Sequence, residues 1–279
     1  MSNQLPQLSS MILPAFLTLR RSSKITEKGI QTNKTFKAVE IEEEHLNAFK
    51  AYFDFSTNVP LTYIYTIAQR AQTALMLDKH FTLPIPGMVH IENQLTQKSE
   101  LDPYSSFDVT SSAFVAYEES DSLKPTFEVE LVQNGHVVAT CRSIYTVKRK
   151  DKKQKIRKKA LAPLQQAKHQ ELWNVNAKTG KEYASISGDK NPIHTSLIFA
   201  KMLGFKTQIM HGWYSVCKIE QFLEGHYNQN VSDISVKFLS PVLLPSQPKF
   251  LLQQDENKAF NYQLVNHSNA RILLTGKMK

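Results

Sequence analysis

A chain of 279 residues is long enough for one large domain or two ordinary ones, and an apolar share of 41% supports a well-buried core. Two cysteines, Cys141 and Cys217, lie far apart with no paired spacing, which argues against a disulfide framework and a structural zinc site and fits a reducing, cytoplasmic setting. The formal charge is +9, but nine basic residues and one acid crowd between Lys148 and Lys159, a local net of +8 that leaves only +1 for the rest.

Taken in chain order, the first apolar stretch runs from Met11 to Leu19. Pro14 and Thr18 interrupt it, no basic segment precedes it, and it is far too short to span a bilayer, so it reads as a buried N-terminal segment. Glu42 to Asp54 places Leu46, Phe49, Ala51, Tyr52 and Phe53 at roughly helical spacing behind acids that suit a helix N-terminus. Leu61 to Met76 is apolar almost all round, which predicts a long helix surrounded by protein. An alternating strand, Val89 to Leu95, follows. Ser105 to Tyr117, Thr126 to Val132 and His136 to Val147 are rich in Val, Phe, Thr and Tyr and read as strands. Asn134-Gly135 between the last two supplies the positive backbone angles of a tight hairpin.

The basic run resists burial and marks a linker, giving three parts: 1–147, a basic linker 148–160, and 161–279. It has no interleaved aromatic residues, so it reads as a solvated linker rather than a nucleic-acid site. A basic edge of this kind could also attract the phosphates of coenzyme A or the acidic surface of an acyl carrier protein. The last part repeats the order of the first: a helix from about Gly212 to Tyr227, then strands at Ile234 to Leu239, Lys249 to Gln254, Ala259 to Val265 and Arg271 to Thr275. The expectation is an α+β fold made twice, each repeat an antiparallel sheet wrapped around a long central helix.

The chemically informative stretch is Tyr183 to His194, which ends just before a helix-like run, Leu197 to Leu203. Gly188, Asp189, Asn191 and Pro192 crowd together, which predicts an irregular, rigid turn able to hold the Asp189 carboxylate and the His194 imidazole towards a common point. On turn chemistry alone the plainer reading is that Asp189 only caps the helix that follows. Seventeen residues on, His211-Gly212 stands directly ahead of an apolar helix, where the Gly212 amide is one of the donors a helix leaves unsatisfied and can meet negative charge developing on an oxygen. A glycine needed only for a tight helix start is the plainer alternative. Asp189, His194 and His211 can also be imagined as metal ligands, but neither a paired His motif nor a second carboxylate is evident.

Tyr183, Ser187-Gly188-Asp189, Asn191-Pro192, His194 and Ala200, together with His211-Gly212, resemble the motifs of the MaoC-like, R-specific enoyl-thioester hydratases and dehydratases, which have the hotdog fold. The resemblance covers roughly Trp173 to Pro241, and the layout of the first half looks like the degenerate repeat of double-hotdog members. It implies that Asp189 and His194 are catalytic, hold the water that adds to carbon 3 and supply the proton exchanged at carbon 2. Gly212 would bind the thioester carbonyl, with Asn191 and His211 supporting the site. No cofactor or metal is implied; coenzyme A or phosphopantetheine enters only as part of an acyl-CoA or acyl-carrier-protein substrate. No nucleic-acid or membrane partner is expected, and the chain is expected to be a monomer or homodimer. In the first half, Phe53 to Pro60 carries an Asp and an Asn but no following His, so one site per chain is expected, with the first half shaping the acyl channel. Ser215, Cys217 and Lys218 stand where the family's small hydratases often place a serine. A thioesterase on the same fold and a non-catalytic acyl-binding protein are the competing readings.

Overall fold

The structure, a computed structural model, describes residues 4–22, 25–117, 122–148, 162–165, 167–268 and 270–279. Of the expected linker, only the backbone of Lys148 falls within them; the rest of 148–160 lies outside the described residues. In order the elements are α1 (Leu8–Leu17), a 3-10 turn (Thr18–Arg20), β1 (Ile30–Val39), α2 (Glu43–Phe53), α3 (Leu61–Met76), β2 (Val89–Gln97), β3 (Phe107–Val115), β4 (Ser122–Leu123), β5 (Thr126–Gln133) and β6 (His136–Lys148). Then follow β7 (His169–Leu172), α4 (Thr179–Ser187), α5 (Pro192–Thr195), α6 (Leu197–Met202), α7 (Gly212–Tyr227), β8 (Asp233–Phe238), β9 (Pro248–Gln254), β10 (Phe260–Asn266) and β11 (Ile272–Met278). The chain forms two compact units, the described residues of Met1–Glu43 with Tyr63–Lys158, and those of Glu44–Thr62 with Lys159–Lys279.

In the first unit the strands run antiparallel in the order β1-β3-β5-β6-β2, with β4 on the far part of β6. The β5–β6 hairpin turns through Asn134 at φ 53° and Gly135 at φ 77°, as its sequence predicts. α3 is buried except around Gln69, Arg70 and Thr73, because its apolar residues surround the axis. Leu61, Tyr63, Ile64 and Met76 are all buried. Its last turn packs Leu75 and Met76 with Phe81, Ala113, Val115 and Phe127. The helix ends against the Arg21 guanidinium, which donates to the carbonyls of Met76 (2.6 Å) and Leu77 (3.0 Å) that no further turn can satisfy. The N-terminal segment departs from expectation. Most of it lies in α1, and of Met11 to Leu19 only Met11 and Thr18 are buried, while Leu13, Leu17 and Leu19 are exposed. A ten-residue helix offers one stripe to the core, and this stripe leaves the other leucines outside.

The second unit has the antiparallel order β8-β11-β10-β9-β7. Along α7, Lys218 lies over Trp173 (4.5 Å), Phe222 packs edge-on to Phe250 (5.5 Å) and Tyr227 meets Phe260 (4.8 Å). Unexpectedly, this unit includes α2 and the loop after it. His45 Nε2 donates to Ile186 O (2.7 Å), and the Phe53 ring sits against Tyr183 and Tyr214. Two glutamates one turn apart on α7 then take the backbone in series. Glu224 accepts from the Ser56 (2.8 Å) and Thr57 (2.6 Å) amides and the Ser56 hydroxyl, and Glu220 from the Leu61 (2.7 Å) and Thr62 (2.9 Å) amides. Trp213 Nε1 donates to Thr62 O (3.0 Å). The donors freed at the start of α3 are thus met by a carboxylate, which a helix N-terminus favours.

Candidate active site

The stretch expected to be one irregular turn is helix, loop and helix. α4 continues through Ser187, whose hydroxyl donates back to Tyr183 O (2.8 Å), and Gly188 closes it in the left-handed conformation at φ 74°. Pro192 begins α5, where its missing amide hydrogen is not needed, and Asn191 caps that helix by accepting from Ile193 N (3.3 Å). The four-residue loop between them is braced by Asp189 itself, whose Oδ1 accepts from Asn191 N (3.2 Å). Turn residues therefore end one helix and start another, and His194 is held on a helical turn.

His194 Nδ1 lies 2.7 Å from Ile209 O, which can only accept, so Nδ1 carries the hydrogen and the neutral ring presents a lone pair at Nε2. The Ile209 amide donates to Ile193 O (3.2 Å), completing a two-way clasp on α5. From the other side α4 packs close: a Cβ on Gly180 would lie 2.3 Å from His194 O. Burial lowers the His194 pKa, with the Asp189 charge opposing the shift.

His211 is 3% exposed and stacks on His194 with ring centroids 3.7 Å apart and planes 27° from parallel. Its Nε2 donates to Asp189 O (2.9 Å), and its buried Nδ1 has no hydrogen-bond partner. The Tyr183 ring meets it at 4.9 Å, edge on. Burial, and then His194, push the His211 pKa down, and burial lowers that of His194 as well, so the site favours the neutral form of both rings. A carboxylate oxygen of Asp189 and one ring nitrogen from each histidine lie within 4.8 Å of one another. That grouping could be read as a metal site, but near-parallel rings aim their lone pairs side by side, and a metal held at about 2 Å by both would require one ring to swing.

His211 is also the N-cap of α7, where its side chain makes no capping bond. Gly212 opens the helix, and a Cβ there would stand 2.6 Å from the Phe238 ring, so close approach to β8 demands a glycine. Asp189, His194, Asn191 and His211 are thus brought together beside the first turn of α7, where Gly212 stands. Ser215, on the next turn, has a buried hydroxyl without a partner; Cys141 and Cys217 are both buried free thiols. The sequence reading missed the carbonyl of Ile209, which sets the His194 tautomer and left no side-chain signal. It also missed Gly180, an isolated helix glycine of the kind that marks close packing.

A long helix on an antiparallel sheet, with a part-buried carboxylate and two imidazoles gathered at the helix start, defines a protein of the hotdog type. Residues 152–273 match the family model described as a MaoC like domain. The chain is 28% identical over 223 residues, 76% of each chain, to 3-hydroxyacyl-thioester dehydratase X of Mycobacterium tuberculosis. The crystal structure of HtdX from M. tuberculosis matches with a TM-score of 0.71 at 22% identity, over 88% of this chain and 99% of that one. A MaoC-like dehydratase from Phytophthora capsici gives a TM-score of 0.68 at 16% identity, over 91% and 97%. At these identities the structural likenesses establish the double-hotdog fold. Among the described residues no helix is long and apolar enough to cross a membrane.

Proposed function

We propose that the protein catalyses reversible hydration of a trans-2-enoyl thioester to the (R)-3-hydroxyacyl thioester in fatty-acid metabolism, with Asp189 and His194 as the acid/base pair. The observation that supports this reading is the placing of an Asp189 carboxylate oxygen and a His194 ring nitrogen within 4.8 Å of each other, because two atoms at that spacing can share one oxygen at about 2.8 Å, a hydrogen-bond distance. In the hydration direction that oxygen is the water that adds to carbon 3. His194 Nε2, its lone pair exposed by the bond from Nδ1 to Ile209, takes a proton as the new C–O bond forms. The electron pair moves through carbons 2 and 3 to the thioester oxygen, where the Gly212 amide and the positive end of α7 stabilise the enolate. A proton from the Asp189–His194 pair then reaches carbon 2. Asn191 and His211 keep the loop in place through Ile193 N and Asp189 O.

The thioester substrate and the dehydration name of the M. tuberculosis relative agree with this reading, and the (R) hand follows from the family resemblance. No cofactor enters the scheme; coenzyme A or phosphopantetheine arrives as the substrate's own arm. Two unpaired buried thiols fit a cytoplasmic setting. The test is loss of enoyl absorbance with enoyl-CoA and enoyl-carrier-protein substrates of graded chain length. Asp189→Asn and His194→Ala are expected to lower kcat by ~10² to ~10⁴-fold. Release of free thiol without hydration would mark a thioesterase, and binding without turnover a non-catalytic acyl carrier; either overturns the reading.

A further inference from the structure

α6 begins two residues after Thr195 leaves the catalytic turn and is oriented against ordinary burial. Only Ala200 is buried, while Ile198 and Met202 are 71% and 74% exposed and Leu197, Phe199 and Leu203 are also exposed. A run of apolar side chains held outward on a capped helix is a surface awaiting a partner. Its electrostatics limit what that partner is. Between Asp189 and Glu220 there is no acidic residue, whereas Lys190, Lys201 and Lys206 are exposed on the loop before α5, on α6 itself and on the turn beyond it. Among the described residues none of the three forms an ion pair.

We propose that α6 and the turn after it are the docking surface for a small carrier domain with an acidic, apolar-centred helix, which delivers the thioester to His194. The inference rests on the hydratase reading and specifies how its substrate arrives. A second copy of this chain fits poorly, because a two-fold contact would set lysines against lysines. A nucleotide could pair with the lysines but would leave the apolar centre uncovered. An acidic helix satisfies both at once, with apolar residues on Ile198 and Met202 and carboxylates at the rim, where opposite charge also accelerates encounter. A carrier seated there stands within a few residues of the catalytic turn, so a flexible prosthetic arm need only reach inward.

The test compares one enoyl chain on a holo carrier protein with the same chain on pantetheine, in native protein and in Lys201→Glu/Lys206→Glu and Ile198→Ser/Met202→Ser variants, with thermal unfolding checked for each. The charge reversal is expected to lower kcat/KM for the carrier-linked substrate by roughly 10- to 100-fold, mostly through KM and with weakened salt dependence. The pantetheine thioester should be processed unchanged. Binding of the holo carrier by calorimetry should weaken in parallel, independently of turnover. Equal loss on both substrates, or no loss on either, overturns the proposal. So does conversion of a native dimer to monomers by the charge reversal, or loss of binding to anionic phospholipid vesicles with carrier kinetics intact. If native protein binds the carrier but consumes no enoyl thioester, the hydratase reading fails while the docking surface stands.

Discussion

Glu220 offers a stability test that does not depend on catalysis. Its side chain is buried at 4% exposure, and burial raises its pKa from 4.5 to about 7, with the Leu61 and Thr62 amides opposing and Glu224 reinforcing the shift. Below pH 4.5 the carboxyl is protonated in folded and unfolded chains alike and contributes no pH dependence. As pH rises through about 7, the folded state keeps a proton that the unfolded state has lost, so stability falls across that window and then levels off. A shift from 4.5 to about 7 corresponds to about 3 kcal/mol. Buried His90, His194 and His211 have lowered pKa values and act in the opposite sense, adding stability as pH rises towards 6.5. Glu220→Gln retains those histidines, so the difference between native and variant curves isolates the glutamate. The amide accepts one of the two backbone donors and opposes the other, a pH-independent loss of about 1–3 kcal/mol. From pH 4.5 to 8 the variant should therefore gain about 3 kcal/mol on the native protein, roughly 6–12 °C in Tm. Thermal unfolding at half-unit pH steps measures it. Parallel curves would refute the reasoning and show that the two amides hold the carboxylate ionised.

The same electrostatics reach activity. Because burial lowers the His194 pKa, the acid limb of kcat/KM against pH should have its midpoint below 6.5; a limb near 7 or above would mean that the Asp189 charge outweighs burial. Gly180→Ala should displace α5, since the new methyl would meet His194 O at 2.3 Å, and a shift approaching 1 Å should cost on the order of 10²-fold in kcat. Unchanged kcat in a folded variant would show that His194 can move without penalty.

What the sequence revealed depended on how local the cause was. α3 and α7 were legible because apolar residues all round a helix have one interpretation, and the β5–β6 turn because Asn134-Gly135 carries its own backbone preference. β1 was not recognised: it buries only Ile30, Phe36 and Val39 among Gln, Asn, Thr and Lys, and its pairing with β3 is broken beyond Phe36. The leucines of α1 could not be sorted into inward and outward, since composition sets no face. Around the site, turn residues correctly marked the breaks at Gly188 and Pro192 but not the short helix between the second break and Ser196, which depends on the Asn191 cap. The paired roles of Glu220 and Glu224 were invisible, because their partners are backbone amides about 160 residues away.

Those amides bear on how such a chain can be divided. The basic run is the obvious place to cut, yet a fragment beginning after it would carry α7 without the segment 44–62 that completes its unit. Glu220 and Glu224 would face solvent or apolar side chains instead of four backbone donors, and Trp213 would lose the Thr62 carbonyl. The two repeats are therefore not interchangeable cassettes. A recombination that exchanged the second repeat between relatives would have to bring along a short stretch from deep inside the first.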